Sequence, residues 1–359
     1  MKNLLYSFYL LLLALAVFTS CTKDDPEIIE SEAVKSAYII NYGNFGSGGA
    51  SITKYDSEND LIFNNYFETQ NDGFELLSNI QYAGLYNDSI YLVGNSNDQL
   101  IVLDTLFKQT RNGISEDLAN PRYFVGNGDY LYISCLGETP NWTTMPDSYI
   151  AVFDTKSGKV INTIDVPGGP EGLAIANQKL YVALNYVQKI AVIDLTDHSL
   201  NYIETPAVSS YFIKDKDENL YVSFVRSLSS ETGLGYINTT SDKLDNTYLF
   251  DGISTSYGSI LSANADFSKI YVLASAYDED FNLSGSVQSF DVATGIFSSL
   301  ITDIAGPTGV VTNPFDNNIY VLCAESVTEG GLLKIYAEDG VFKKEYNTGI
   351  SPTMAVFLY

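Results

Sequence analysis

The sequence predicts an all-β fold, a seven-bladed β-propeller closed by its own C-terminal strand, and three observations carry that prediction. A short strand with a tyrosine at a fixed place recurs at Tyr38, Tyr91, Tyr132, Tyr181, Tyr221, Tyr271 and Tyr320, at intervals of about 40 to 53 residues, the length of a four-stranded blade. A second strand follows, ending in Tyr55-Asp56, Leu103-Asp104, Phe153-Asp154, Ile193-Asp194 and Phe290-Asp291, with Ile237-Asn238 and Tyr336-Ala337 as weaker copies. Finally, one strand is displaced: Tyr38 has no apolar strand before it, while the chain ends with an orphan copy, Ser351-Pro352-Thr353-Met354-Ala355-Val356-Phe357. Moved to the front, it becomes the innermost strand of the first blade and leaves no sheet edge open at the junction.

Residues 1–20 read as a processing signal. Lys2 precedes an apolar run from Leu4 to Phe18, too short and one-sided for a stable membrane span, and Phe18-Thr19-Ser20-Cys21 follows. This resembles a bacterial lipoprotein signal, which implies cleavage before Cys21 and lipidation of that thiol. Thr22-Lys23-Asp24-Asp25-Pro26-Glu27 resembles the acidic surface-export tag of Bacteroidota lipoproteins, so residues 21–36 read as a lipidated polar tether. The implied location is the outer membrane at the cell surface.

Residues 37–359 form the propeller. An apolar strand stands before each later tyrosine strand, several entered through a Pro turn: Asn120-Pro121, Gly169-Pro170, Thr205-Pro206 and Gly306-Pro307. The other two begin near Ser78 and Ser254. The 27 tyrosines and 19 phenylalanines suit half-buried, pleated strands, and no stretch outside the leader reads as a long amphipathic helix.

Charge and inventory exclude several functions. A net charge of −25 repels phosphate backbones and anionic lipid, so no nucleic-acid partner is expected. His198 is the only histidine and sits in an outer turn, Asp194-Leu195-Thr196-Asp197-His198-Ser199, where neither a catalytic triad nor a His-rich metal site can be built around the axis. Asp215-Lys216-Asp217-Glu218 and Asp278-Glu279-Asp280 lack the spacing of a calcium loop and read as solvated turns. Gly43 to Gly49 lacks the Lys-Ser/Thr of a phosphate loop. Cys135 and Cys323 occupy equivalent places on distant blades, out of disulfide reach, and read as small core residues.

Antiparallel order sorts the connections between two faces. On one lie short turns such as Tyr86-Asn87-Asp88-Ser89 and Gly126-Asn127-Gly128-Asp129. On the other lie loops of uneven length, 42–49, 94–98, 136–147, 185–188, 225–233, 276–285 and 324–330. Loops on a rigid scaffold are where binding residues gather, and these carry Phe45, Asn95, Asn97, Trp142, Met145, Tyr186, Arg226, Tyr277, Phe281 and Glu325. All but Glu325 are the candidate ligand-binding residues. Aromatic, amide and one Arg side chains suit a large, flat ligand with a polar rim. No catalytic and no metal-ligating residue is expected. Of ionisable groups, the Pro-turn inner strands offer only Arg122 and Glu171.

Ile39-Ile40-Asn41-Tyr42-Gly43-Asn44-Phe45-Gly46, Ala50 to Asp56, Leu180-Tyr181-Val182-Ala183-Leu184-Asn185 and Ile319-Tyr320-Val321-Leu322, with the leader, resemble the YncE-like seven-bladed propeller lipoproteins of Bacteroidota. Within that group the chain is most similar to the surface corrinoid-binding BtuG type. The resemblance, which runs from Tyr38 onward, implies capture of a cobamide such as vitamin B12 and its delivery to a TonB-dependent outer-membrane transporter, with no cofactor and no catalysis. It assigns no individual contact, so the nine candidates rest on loop geometry. Two other readings stand beside it: a lactonase- or lyase-type enzyme with Glu171 and Asp98 holding a metal near the axis, and a protein- or glycan-binding scaffold.

Overall fold

A computed structural model describes residues 35–225, 232–250 and 260–358. They form seven four-stranded antiparallel sheets. Six follow chain order outward from innermost strands Ile80–Tyr86, Pro121–Asn127, Pro170–Ala176, Ser209–Lys214, Leu261–Ala263 and Pro307–Thr312. The remaining sheet joins the ends: Pro352–Leu358 is innermost, followed by Ser36–Asn41, Ser51–Asp56 and Leu61–Phe63. Ser36 faces Leu358 and Ile40 faces Met354 across this join. Beyond it, the Tyr42 N–H donates to the Ser351 carbonyl at 2.8 Å and the Gly43 N–H to Ile350 at 3.0 Å. The C-terminal strand therefore completes the first blade as expected. Ser36, assigned to the tether from sequence, is already paired on both sides, with Asp56 and Leu358.

All seven repeat tyrosines are buried, none more than 6% exposed. They belong to apolar clusters that fill the joins between blades; in one, Ile190, Val192 and Ile203 of the fourth blade pack on Leu220, Val222 and Phe224 of the fifth. Burying a large apolar side chain is worth about 1.5–3 kcal/mol, so each join is held by several such terms. Tyr181 also donates its hydroxyl to Asp242 Oδ1 of the next blade at 2.5 Å. The aspartates that end the second strand of the repeat make the outer turns. Asp104 Oδ1 accepts the N–H groups of Leu106 and Lys108, and Asp154 those of Lys156 and Ser157 through its two oxygens. Such side-chain-to-backbone bonds are the physical reason for Asp at a turn. Hydrogen bonds from Ser157 and Thr294 hold the Asp154 and Asp291 carboxyls below the usual range.

Two features differ from the sequence expectation. A single helical turn, Tyr66–Gln70, follows the three-residue strand Leu61–Phe63 and buries Phe67 against the cluster of Tyr38 and Phe107. Asn71 fixes it by donating from Nδ2 to the carbonyls of Phe67 and Phe107. The inner strand of the sixth blade, expected from near Ser254, has Leu261–Ala263 as its described part, and residues 251–259 lie outside the described residues. Cys135 and Cys323 are free and buried, and burial pushes both thiols up to about 12.

A clasp joins the first and seventh blades on the outside. Asp60 Oδ1 accepts from the Tyr55 hydroxyl at 3.0 Å, the Lys344 ammonium and the Tyr346 hydroxyl. Lys344 first, then Tyr346, lower its carboxyl to about 2. With a folded value below the unfolded one of about 3.9, this group stabilises the fold above that pH and loses its contribution as pH falls through the folded value. The stability gap between wild type and Asp60→Asn, read from urea midpoints, should be flat from pH 5 to 8 and narrow from pH 5 toward 2. A gap that widened on acidification would remove Asp60 from the clasp.

Candidate functional site

The hairpins of the lower face are tight because both central residues adopt left-handed backbone. Asn87 and Asp88 have φ 45° and 59°, and Asn177 and Gln178 have 47° and 61°, the geometry that matches strand twist in two-residue turns. The opposite face carries the long loops, and neighbouring blades brace them. Asn79, entering the second blade, donates from Nδ2 to the carbonyls of Tyr42 and Asn44. That bracing presents Phe45, 78% exposed, with its ring 6.5 Å from Tyr42 and nearly parallel to it.

The loop 136–147 is anchored from within. Met145 is fully buried, its carbonyl accepts from Gly168 N–H and Ser148 Oγ, and its side chain packs by Gly169. Met145, predicted as a ligand contact, is instead the internal support of the loop. What it supports is Trp142, 66% exposed, whose ring lies 6.5 Å from that of half-buried Tyr186. In the sixth blade the strands run further than expected, through Tyr277 and from Leu283, into a projecting hairpin. Asp278 Oδ1 accepts the N–H groups of Asp280 and Asn282 at its tip, which leaves Tyr277 and Phe281 exposed.

The two asparagines differ. Exposed Asn97 is held by its N–H on Ser78 Oγ. Asn95 turns toward the axis and donates to Gln81 Oε1 at 3.2 Å. Arg226 and Cys21 lie outside the described residues, as does most of the loop 225–233. His198 is exposed in its turn, and Asp215 Oδ1 accepts the N–H groups of Asp217 and Asn219.

The axis is built by a bulge that sequence reading missed. In six blades the ladder between the two innermost strands shifts register near the loop face, where bulges commonly re-aim side chains. The shift skips Gln81, Arg122, Thr308 and Thr353 singly, and includes Glu171 and Ser210 in the wider ones. Arg122 and Glu171, the two ionisable residues picked out from sequence, meet in a bidentate pair: Nε to Oε2 at 3.1 Å and Nη2 to Oε1 at 3.0 Å. Arg122 Nη1 also donates to Gln81 Oε1 at 3.0 Å, and the Tyr211 hydroxyl lies 3.4 Å from Glu171 Oε1. Burial disfavours the Arg122 cation, but Glu171 beside it outweighs this and raises its pKa.

Deeper along the same strands, Tyr82, Tyr123 and Tyr211 crowd the axis, with ring centroids 3.7 Å apart for the first pair and 6.1 Å for the second. Gly172 is required here: a Cβ would meet the Ser210 carbonyl oxygen at 2.4 Å. A chamber of about 70 Å³ remains, bordered by Gln81, Arg122, the three tyrosines and Thr353 among others. Glu171 binds Arg122, and Asp98 accepts the Asn120 N–H at 2.6 Å. Among the described residues no group of three or more His, Cys, Asp or Glu is placed to hold a metal.

Comparison with known proteins gives the same architecture. The chain is similar to a putative 6-phosphogluconolactonase from Bacteroides fragilis, with 14% identity, TM-score 0.67, and coverage of 93% of this chain and all of that one (100%). It is also similar to a quinonprotein alcohol dehydrogenase-like protein from Bacteroides thetaiotaomicron, with 16% identity, TM-score 0.64 and coverage of 89% and 78%. The periplasmic gluconolactonase of Pseudomonas aeruginosa matches at 13% identity and TM-score 0.60, covering 90% and 99%. At such identities the likeness is one of fold. No curated protein matches the sequence. A family model does, over residues 35–357, almost the whole propeller, and the chain therefore belongs to the DUF5074 family, described as a domain of unknown function.

Proposed function

We propose that this protein is a non-catalytic binding protein, lipid-anchored at the cell surface, that captures a cobamide on its long-loop face and passes it to a TonB-dependent transporter. The observation that carries the binding reading is the set of exposed rings on that face, Phe45, Trp142, Tyr277 and Phe281. Rings left in water on loops braced by hydrogen bonds supply apolar area to a large ligand. The axis beneath them supplies hydrogen-bonding groups, while its ion pair is neutralised internally. That combination suits a ligand with an apolar plane and a rim of neutral amides, which is the chemistry of a cobamide, and the resemblance of the sequence points to the same class.

Calorimetric titration of the mature protein with cyanocobalamin tests this. Trp142→Ala should weaken binding roughly 10- to 150-fold, the worth of one large buried apolar side chain. Lys156→Ala, in an exposed pair with Asp129 on the lower face, should leave affinity unchanged. Absence of heat at micromolar wild-type protein sinks the cobamide reading, and binding abolished by a chelator moves the case to a metal-dependent enzyme. Cys21→Ser should release the protein from the membrane fraction; retention there would exclude lipidation of Cys21 as the anchor.

A further inference from the structure

We infer that the axial chamber is a subsite for one neutral carboxamide-sized group, reached from the loop face. In its choice of ligand this rests on the cobamide reading. The chamber has a volume of about 70 Å³, roughly half of the 150 Å³ that accommodates benzene. It therefore has room for about three non-hydrogen atoms, a carboxamide's C, O and N, and none for a ring. Its wall contains an unpaired polar group: Thr353 is 6% exposed, and its Oγ1 has no hydrogen-bond partner. A buried hydroxyl without a partner is costly unless something fills the space beside it.

Arg122 borders the same space. Arg122 carries five N–H groups, of which two bind Glu171 and one binds Gln81, leaving two for an incoming acceptor. Because Glu171 already balances Arg122, a charged ligand group would enter a neutral, partly desolvated space at a large penalty, whereas a neutral group pays far less and recovers it through hydrogen bonds. A carboxamide meets both demands: its carbonyl oxygen accepts from Arg122, and its NH2 donates to Thr353 Oγ1. Such a group has two sources, the side arm of a cobamide lying over the face or a free small amide.

Thr353→Val removes the hydroxyl at nearly constant volume, and Thr353→Leu fills the chamber. With cyanocobalamin, Thr353→Val should bind roughly 3- to 10-fold more weakly than wild type, the effect of one neutral hydrogen bond. With 100 mM acetamide, the wild-type Tm should rise by roughly 2 °C relative to Thr353→Leu. A Thr353-dependent response to cyanocobalamin alone assigns the chamber to the ligand arm, and to acetamide alone assigns it to free amides. Equal cyanocobalamin affinities together with equal acetamide responses overturn the subsite, the chamber then holding water only. If wild type binds no cyanocobalamin yet responds to acetamide through Thr353, the cobamide reading fails and the subsite stands.

Discussion

Deleting the chain from Ser351 onward should unfold the propeller or drive it into aggregates. The innermost strand of the first blade is made of these residues alone, and its partner strand, Ser36–Asn41, is wholly buried. Truncation removes Met354 and Val356 from the apolar cluster shared with the second blade and uncovers Ile40 and Tyr38 in the same cluster. At about 1.5–3 kcal/mol per large side chain, losses at four positions compete with a total stability of about 5–15 kcal/mol. The edge of Ser36–Asn41 is left unpaired beside the axis, where it templates association. Circular dichroism melts and size-exclusion chromatography read the outcome, and a truncated protein that melts and elutes like wild type would mean the ends do not latch.

Arg122→Ala should destabilise the fold by about 3–5 kcal/mol, because it leaves the Glu171 carboxylate buried without its counter-ion. The two side chains are 13% and 6% exposed, so water cannot easily replace the lost partner. Replacing both together, Arg122→Met with Glu171→Met, should recover most of that loss, since apolar pairs of similar volume substitute for buried ion pairs at little cost. Urea denaturation of the two variants makes the comparison. If the single substitution is neutral, the pair is solvated in solution; if the double is as unstable as the single, its role is packing rather than charge compensation.

Much of this architecture was legible without coordinates because a propeller is periodic. Each of the seven tyrosines is buried between blades, and five turn aspartates each accept backbone N–H groups two to four residues on, so the same physical requirements recur along the chain with small variations. The orphan strand at the C-terminus was legible for the same reason: a missing copy at one end and a spare at the other imply their pairing. Loop positions followed from antiparallel order alone, which placed Phe45, Trp142, Tyr277 and Phe281 on the face that carries the long loops. Their exposure is what loop composition suggested.

Other features depend on where side chains end up after the blades pack. Met145 looks like its exposed neighbours in sequence, and only the path of its loop over Gly169 turns it inward. Asn95 and Asn97 are two residues apart and identical in kind, yet one reaches the axis and the other faces solvent. The axial layer escaped sequence reading because the bulges that create it shift register by one residue, a change without a composition signature; aligning the residue after each Pro turn across blades was the available signal. The sequence by itself determined the repeat, the ring closure and the loop-bearing face, since these follow from local patterning repeated along the chain. Only the tertiary structure decided that Arg122 and Glu171 neutralise one another and that a chamber with an unpaired Thr353 hydroxyl lies beneath them, because both depend on convergence of inner strands far apart in sequence.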